Sequence, residues 1–442
     1  MTGVAPTTVK IGVIGLGYVG LPSAAGFAEM GFSVIGTDSD PKKLATLHEG
    51  RSPLYEPGLQ ELLDRHTSSG RLRFVEDIAS VVREATVLFI CVGTPQAQDG
   101  QADLSQVDGA VKEIARHLDE YRIIVEKSTV PVTTADWIKK TVSSHTNGNL
   151  EFDVASNPEF LREGSAVADF LNPDRIVLGI ESQRARSILE GLYSSFDCPV
   201  FVTDLSTVEI IKHASNSFLA MRVSFINMIS DLCEATGADV KKVAEGMGLD
   251  PRIGHAYLEA GLGYGGYCLP KDIRGFIHIG EQMGVDFSML KAVEDINNQR
   301  IDRLLRKIKD AAGQIEGQQI GVLGLAFKSG TDDTRVSPSI SVVQRLQKEG
   351  AKLRLHDPQA IENTRSQIPD SPGLVKYCDS AYEAAEGCDA LLLLTGWPEY
   401  RELDLTRLNS LMSSPVIIDG RNYLEPAEVR SAGFQYSAMG RP

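Results

Sequence analysis

Residues 10–14, KIGVI, read as an apolar β run, and the run breaks at a glycine turn, Gly15-x-Gly17-x-x-Gly20. The stretch after it, LPSAAGFAEMG, is helix-like. A second β run, FSVIGTD, then ends at Asp38, 18 residues beyond Gly20. Strand, glycine turn, helix, strand and acid in this order make a dinucleotide-binding pattern. The glycines permit the tight turn, the approach of backbone to a pyrophosphate and close helix–strand packing, and the helix N-terminus faces the phosphates. Asp38 is expected to bond the ribose hydroxyls and to repel a 2′-phosphate, which selects NAD over NADP. The plainer alternative for Asp38 is an exposed turn carboxylate. ATVLFICVGTP (85–95) reads as a later strand of the same sheet, with its ligand-facing carboxyl end at GTP.

The pattern returns late in the chain. QIGVLGLAFK (319–328) echoes the first strand and turn, AKLRLHDP (351–358) the strand ending in an acid, and CDALLLLTGWP (388–398) the later strand. This predicts a second Rossmann-like half, imperfectly repeated. Its third glycine is missing and Lys328 follows the turn, so a phosphate would be held there by charge rather than by backbone. A solvated Lys328 on an inherited fold is the alternative. Between the halves, residues 205–237 lack proline, are rich in helix formers and end at Gly237, which predicts one long helix. Its apolar residues fall on more than one face, so it should be buried or shared between subunits.

Composition narrows the classes. A chain of 442 residues accommodates two or three domains. A net charge of −15 argues against a nucleic-acid partner and requires a local Lys/Arg cluster for any anionic ligand. The opening MTGVAPTTVK offers no apolar signal-peptide core, and no apolar run approaches the roughly 18–20 residues that span a membrane. The six cysteines lack metal-ligand spacing, so no metal site is expected and they read as reduced thiols of a cytoplasmic protein.

One of them stands apart. GLGYGGYCLPKD (261–272) places Cys268 behind four glycines and ahead of Pro270, Lys271 and Asp272. A helix starting near Pro270 would put the thiol at its N-terminus, where partial positive charge and Lys271 favour the thiolate. Asp272, four residues on, would share that side of the helix. The competing reading of Cys268 is a small buried hydrophobe. Lys212 and Asn216, four apart on the long helix, could together stabilise an alkoxide or oxyanion, or Lys212 could simply be solvated. In SNPEFLREGSAVADF (156–170), Glu159 and Glu163 have the same spacing; on a helix such a pair repels slightly and needs compensation. EKSTVPVTT (126–134) reads as a hydroxyl-rich turn at a strand end.

GLGYGGYCLPKD, SNPEFLREGSA, VLGLAFKSGTDDTR and DGRN together resemble the UDP-glucose branch of the UDP-glucose/GDP-mannose dehydrogenase family, from about residue 10 to about residue 425. The resemblance implies an α/β fold of two Rossmann-like domains joined by a central long-helix dimerisation region. The expected division is an NAD domain at 1–203, a helical dimerisation and catalytic-cysteine region at 204–310, and a nucleotide-sugar domain at 311–442. It implies a four-electron oxidation of the sugar's primary alcohol with two NAD⁺ in succession, by a homodimer acting on UDP-glucose. The same chemistry on another nucleotide sugar such as GDP-mannose stays open. A two-electron hydroxyacid dehydrogenase or a non-enzymatic NAD-binding scaffold has no need of Cys268, Lys212, Asn216 and Asp272 together.

By the family pattern Cys268 is the nucleophile, Asp272 orders the water that takes the first proton, and Lys212 and Asn216 stabilise oxygen charge. Thr129 positions a water, Glu159 is the base for thioester hydrolysis, and Glu163 lies beside cofactor and substrate. Cofactor contacts are implied from Gly15, Gly17, Tyr18, Val19 and Gly20, from Asp38 and Lys43, from Gly93, Thr94 and Thr129, and from Lys271 and Arg335. Phe160 and Leu161 beside Glu159, and Gly265 in the glycine run, are implied at the sugar. Tyr257, Leu269 and Phe327 give apolar contacts, Lys328 and Arg421 lie near the nucleotide sugar, and Arg252 reaches the neighbouring subunit's site. Met228, Arg222, Val336 and Gly396 depart from commoner family residues, outside the implied catalytic set.

Overall fold

The computed structural model describes residues 9–97, 100–146 and 150–442; the first eight residues, which belong to the opening segment read for a signal core, lie outside it. The chain separates into two compact units, Met1–Ser215 with Arg274–Met283, and Asn216–Ile273 with Gly284–Pro442.

The first unit is built on an eight-stranded sheet. Its strands are β1 (Lys10–Ile14), β2 (Ser33–Thr37), β3 (Leu72–Phe74), β4 (Val87–Ile90), β5 (Arg122–Glu126), β6 (Phe152–Ser156), β7 (Ile176–Ile180) and β8 (Val200–Thr203). They lie in the order β3-β2-β1-β4-β5-β6-β7-β8, parallel throughout except between β6 and β7. Strands β4 and β5 are buried along their whole length, as a parallel sheet covered on both faces requires. Alternation then divides β4 between two cores: Val87 and Phe89 pack with Phe27 on one face, Leu88 and Ile90 with Val111 and Ile124 on the other. The strand order reverses between β1 and β4, where Ile14 pairs with Thr37 on one side and Ile90 on the other. Gly15, Asp38 and Cys91 therefore meet at the carboxyl ends, at the crevice where open α/β sheets take ligands.

The second unit repeats the arrangement. Strands β9 (Gln319–Leu323), β10 (Lys352–His356), β11 (Val375–Tyr377), β12 (Ala390–Leu393), β13 (Val416–Asp419) and β14 (Gln435–Ala438) form a wholly parallel sheet in the order β11-β10-β9-β12-β13-β14. The three echoed segments are thus β9, β10 and β12, with the same reversal between β9 and β12.

The long helix expected at 205–237 is present as Leu205–Thr236 and runs from the first unit into the second. It ends at Gly237, which takes φ 76°. Within the second unit it exposes Phe218, Phe225, Met228 and Leu232, spaced along one side. Arg222, one of the departures from the family, donates to the carbonyls of Ile253, Gly254 and Ala256 at 2.7–2.8 Å and ties the segment around Arg252 to this helix.

The helical spacing of Glu159 and Glu163 is corrected, and the helix expected to begin near Pro270 is present. Residues 157–165 are irregular rather than helical, and only Ala166–Leu171 forms a helix there. Pro158 restricts the backbone before it, and the turn finds its partners elsewhere: the buried Glu56 accepts the N–H groups of Gly164 and Ala166, both at 2.7 Å. The cysteine helix begins at Cys268 itself and runs to Gln282, so Pro270 sits inside its first turn, where N–H groups lack helical partners anyway. Among the described residues no helix is long and apolar enough to cross a membrane.

Candidate active site

In the first unit the three glycines of the β1 turn differ in what confines them. A Cβ on Gly15, at φ 94°, would lie 2.7 Å from the Cys91 carbonyl oxygen, and one on Gly20 would lie 1.8 Å from that of Gly15. A Cβ on Gly17 would meet nothing within 4 Å. Gly15 and Gly20 are therefore demanded by the fold, whereas Gly17 keeps open the space above the N-terminus of the helix Gly20–Glu29. That is the space a pyrophosphate needs, and Tyr18 and Val19 border it half-buried. Asp38 Oδ2 accepts the Leu16 N–H and the Lys43 ammonium, both at 2.7 Å, and Oδ1 accepts the Asp40 N–H at 2.9 Å. Lys43 is thus positioned by the acid that closes the second strand. At the end of β4, Gly93 donates its N–H to Gln106 at 3.2 Å and Thr94 donates its hydroxyl to the Thr129 carbonyl at 2.9 Å. These features fit a dinucleotide.

The hydroxyl-rich turn after β5 is held from below. Ser128 donates to the carbonyl of Val92 at 2.8 Å, and its N–H to Glu126 Oε1 at 2.8 Å. Glu126 is buried, and its Oε2 has no hydrogen-bond partner. Burial pushes the carboxyl up to about 8, against the Ser128 hydrogen bonds that favour its charge. Next to it the buried Lys127 donates to Asn157 Oδ1 at 3.0 Å, which also accepts the Tyr193 hydroxyl at 2.5 Å; burial pushes the ammonium's pKa down.

Glu159 and Lys212, separately singled out in the sequence, form one buried ion pair. The ammonium donates to Glu159 Oε1 at 3.0 Å and to its main-chain oxygen at 2.8 Å, with both side chains 5% exposed. Glu159 Oε2 also accepts the Leu161 N–H. This ion pair supplies the compensation sought for the Glu159–Glu163 spacing, without a helix. Phe160 packs under Arg175, 3.9 Å from guanidinium to ring centroid, and lies 5.3 Å from the Lys212 ammonium. Glu163 is half-buried in the turn that Glu56 fixes.

The second unit holds the cysteine. The glycine run is threaded through the fold: a Cβ on Gly265 would lie 2.4 Å from Pro338, and one on Gly266 2.7 Å from the Phe327 ring. Close passage, rather than looseness, explains the glycines. Cys268 follows, half-buried, as the first residue of its helix, with the helix dipole's positive end at the thiol. One turn on, Asp272 is 1% exposed; its Oδ2 accepts the Asn216 amide at 2.5 Å and its Oδ1 the Lys271 ammonium at 2.7 Å. Asn216 and Lys212 are thus each committed to a carboxylate, one in each unit. Lys271, buried and paired, is placed beside Asp272.

Arg421 donates to the carbonyls of Leu394, Gly263 and Phe327 at 2.8–3.1 Å, knitting the glycine run to the ends of β9 and β12. Burial lowers its pKa to about 10. Lys328 extends with its ammonium 5.6 Å from the Phe327 ring centroid. Arg335 chelates Asp333 at 2.6–2.9 Å and lies 4.4 Å over the Tyr267 ring. Leu269 and Tyr257 are half-buried, Tyr257 in the left-handed region at φ 62°. Arg252 is 88% exposed at its side chain and, among the described residues, bonds locally to Asp250 at 2.7 Å. Among the described residues no group of three or more His, Cys, Asp or Glu is placed to hold a metal ion.

Sequence reasoning missed Glu126 and Glu56. An acid closing β5, RIIVE, directly after three apolar residues was a readable signal for Glu126. Glu56 gave none, because its partners lie 108 and 110 residues away.

The chain matches three consecutive descriptions of one family: the UDP-glucose/GDP-mannose dehydrogenase NAD binding domain over residues 9–197, the central domain over 206–299, and the UDP binding domain over 321–426. It is 44% identical over 433 residues to a UDP-glucose 6-dehydrogenase of Bacillus subtilis, covering 98% of this chain and 93% of that protein. It is likewise 44% identical over 444 residues to a UDP-glucose 6-dehydrogenase of Rhizobium meliloti, covering 98% and 100%. Among solved structures, a UDP-glucose dehydrogenase from Pyrobaculum islandicum superposes with a TM-score of 0.92 at 38% identity, covering both chains completely.

Proposed function

Since this chain belongs to the UDP-glucose/GDP-mannose dehydrogenase family, we propose that it oxidises the primary alcohol of UDP-glucose to the carboxylate of UDP-glucuronate, with Cys268 as the covalent nucleophile. NAD⁺, when bound, accepts one hydride in each of two oxidations. In the first, the alcohol loses a hydride and a proton, and the proton goes to a water ordered by Asp272. Lys212 and Asn216 stabilise the oxygen that carries charge, and Thr129 positions a water. The Cys268 thiolate adds to the aldehyde carbon, forming a C–S bond and a thiohemiacetal that keeps the aldehyde from leaving. Loss of the second hydride leaves a thioester. Water activated by Glu159 then breaks the C–S bond, releasing the carboxylate and restoring the thiolate. In sum, alcohol, one water and two NAD⁺ give carboxylate, two NADH and three protons.

The observation that supports this reading best is the turn Cys268–Asp272: a thiol at a helix N-terminus, one turn from a buried carboxylate held by Asn216 and Lys271. We assign NAD binding to residues 1–203, dimerisation and the nucleophile to 204–310, and the nucleotide sugar to 311–442. Arg252, Lys328 and Arg421 supply the positive charge that an acidic chain needs for a diphosphate. The protein acts in the cytoplasm as a homodimer, for which the exposed Phe218, Phe225, Met228 and Leu232 offer the apolar face and Arg252 a side chain able to serve a neighbour. Arg252→Ala should weaken UDP-glucose binding and leave NAD⁺ binding intact.

The test is NADH formed per sugar consumed across a panel of UDP- and GDP-sugars. Two NADH per UDP-glucose without released aldehyde is expected. One NADH with accumulating aldehyde would remove the cysteine trap, and preference for GDP-mannose would reassign the substrate.

A further inference from the structure

The first turns of the long helix grip the turn after β5 at two separate points, all within the first unit. Glu209, 3% exposed, accepts the N–H groups of Thr133 at 2.6 Å and Ala135 at 2.9 Å. Those groups open the helix Thr134–His145, and Thr133, its N-cap, makes no side-chain cap of its own. Thr133 stands at φ 81°. A β-branched residue in the left-handed region is strained, and it stays there only where its surroundings impose the conformation. One helical turn beyond Glu209, the buried His213 bonds the Val130 carbonyl through Nε2 at 2.9 Å, so that nitrogen carries the proton; its ring stacks on Phe276 at 5.5 Å and 18°. Between them in sequence lies Lys212, on Glu159.

Beyond the bonds of Ser128 at its start, the turn that carries Thr129 is therefore fixed by Thr94 at Thr129, by His213 at Val130, and by Glu209 at Thr133 and Ala135. Two of these three restraints come from the helix that carries Lys212. We infer that Glu209 and His213 are positioning residues that lock the Thr129 turn to the Lys212 helix, so that the hydroxyl and the ammonium keep one relative placement through both oxidations. The inference rests on the roles proposed above for Thr129 and Lys212. A carboxylate suits the task because it accepts two N–H groups at a helix N-terminus. A glutamine there accepts one and turns its own NH₂ toward the other.

The experiment measures steady-state kinetics of the full-length protein with UDP-glucose and NAD⁺, together with NAD⁺ affinity and Tm. Glu209→Gln should lower kcat tenfold or more, and His213→Phe, which keeps the stack on Phe276, should lower it several-fold. For both, KM and Kd for NAD⁺ should stay within twofold. Thr133→Gly alone should leave kcat within twofold. Added to Glu209→Gln it should recover kcat at least threefold, because glycine adopts φ 81° without the carboxylate's help. A Glu209→Gln variant with wild-type kcat would overturn the inference. So would a loss of kcat that tracks equal losses of NAD⁺ affinity and Tm and is not recovered by Thr133→Gly, since Glu209 would then be only a helix cap. Wild-type turnover by Thr129→Ala or Lys212→Ala would overturn it at its premise, a result distinct from an active Glu209→Gln alongside two inactive controls.

Discussion

Glu126→Gln should remove a pH-dependent loss of stability. In the native protein the carboxyl titrates at about 8, raised by burial from an ordinary 4.5. Unfolded, it ionises near the ordinary value. Between these two pH values the native state holds about one proton that the unfolded chain has released, so stability falls as pH rises through that window. The slope from this one group is about 1.4 kcal/mol per pH unit, or about 3 kcal/mol between pH 5 and pH 7. Glutamine is neutral throughout and keeps an oxygen for the Ser128 N–H. Urea unfolding of both proteins at pH 5, 6, 7 and 8 and constant ionic strength checks this, because other titrating groups cancel in the difference. The variant should gain on the wild type by about 1.4 kcal/mol with each unit and level off above pH 8. A difference constant within about 0.5 kcal/mol over the range would mean that Glu126 is ionised in the fold, and the desolvation argument would fail.

Cys268→Ser should abolish steady turnover of UDP-glucose while both ligands still bind, because serine lacks a ready route to the alkoxide and an ester hydrolyses more slowly than a thioester. Mass spectrometry should find bound aldehyde or a covalent sugar ester; near-normal turnover would make the thiol structural. Gly17→Ala should leave Tm unchanged and weaken NAD⁺ binding tenfold or more, since its Cβ meets only the space assigned to pyrophosphate. Gly20→Ala, whose Cβ would lie 1.8 Å from a carbonyl oxygen, should instead lower Tm or yield no folded protein. Equal effects of the two would contradict the division of labour within the turn.

What was legible in the sequence was local or repeated. The β1 turn could be read because its three glycines act within a few residues of one another, and the second sheet because β9, β10 and β12 echo segments of the first. The long helix announced itself by composition and by Gly237. The pairings at the candidate site could not be read this way. Lys212 and Asn216 share a face by spacing, yet one meets Glu159 across 53 residues and the other Asp272 across 56. Likewise the spacing of Glu159 and Glu163 suggested a helix, while Pro158, the ion pair to Lys212 and the grip of Glu56 on Gly164 decide the backbone there. Long-range partners override a local period whenever they satisfy groups that a helix would leave exposed to repulsion.

The two sheets end their second strands in an aspartate, and the surroundings of those acids separate their functions. Asp38 Oδ1 accepts one N–H, from Asp40, and a carboxylate oxygen has capacity for a ribose hydroxyl beside it. Asp357 is 2% exposed, and its Oδ2 accepts N–H groups from Leu325, Ala326 and Trp397 at 2.7–3.1 Å, while Oδ1 accepts those of Gln359 and Ala360 at 2.8–2.9 Å. Five donors fill it, one of them the indole N–H of Trp397. This contrast fits the proposed division, with the dinucleotide on the first half and the nucleotide of the substrate on the second. Titration calorimetry with NAD⁺ should give one site per chain, lost in Gly17→Ala and retained in Lys328→Ala, whereas UDP affinity should fall in Lys328→Ala and persist in Gly17→Ala. A second NAD⁺ site of comparable affinity, surviving Gly17→Ala, would show that the filled carboxylate does not close the second half to a dinucleotide.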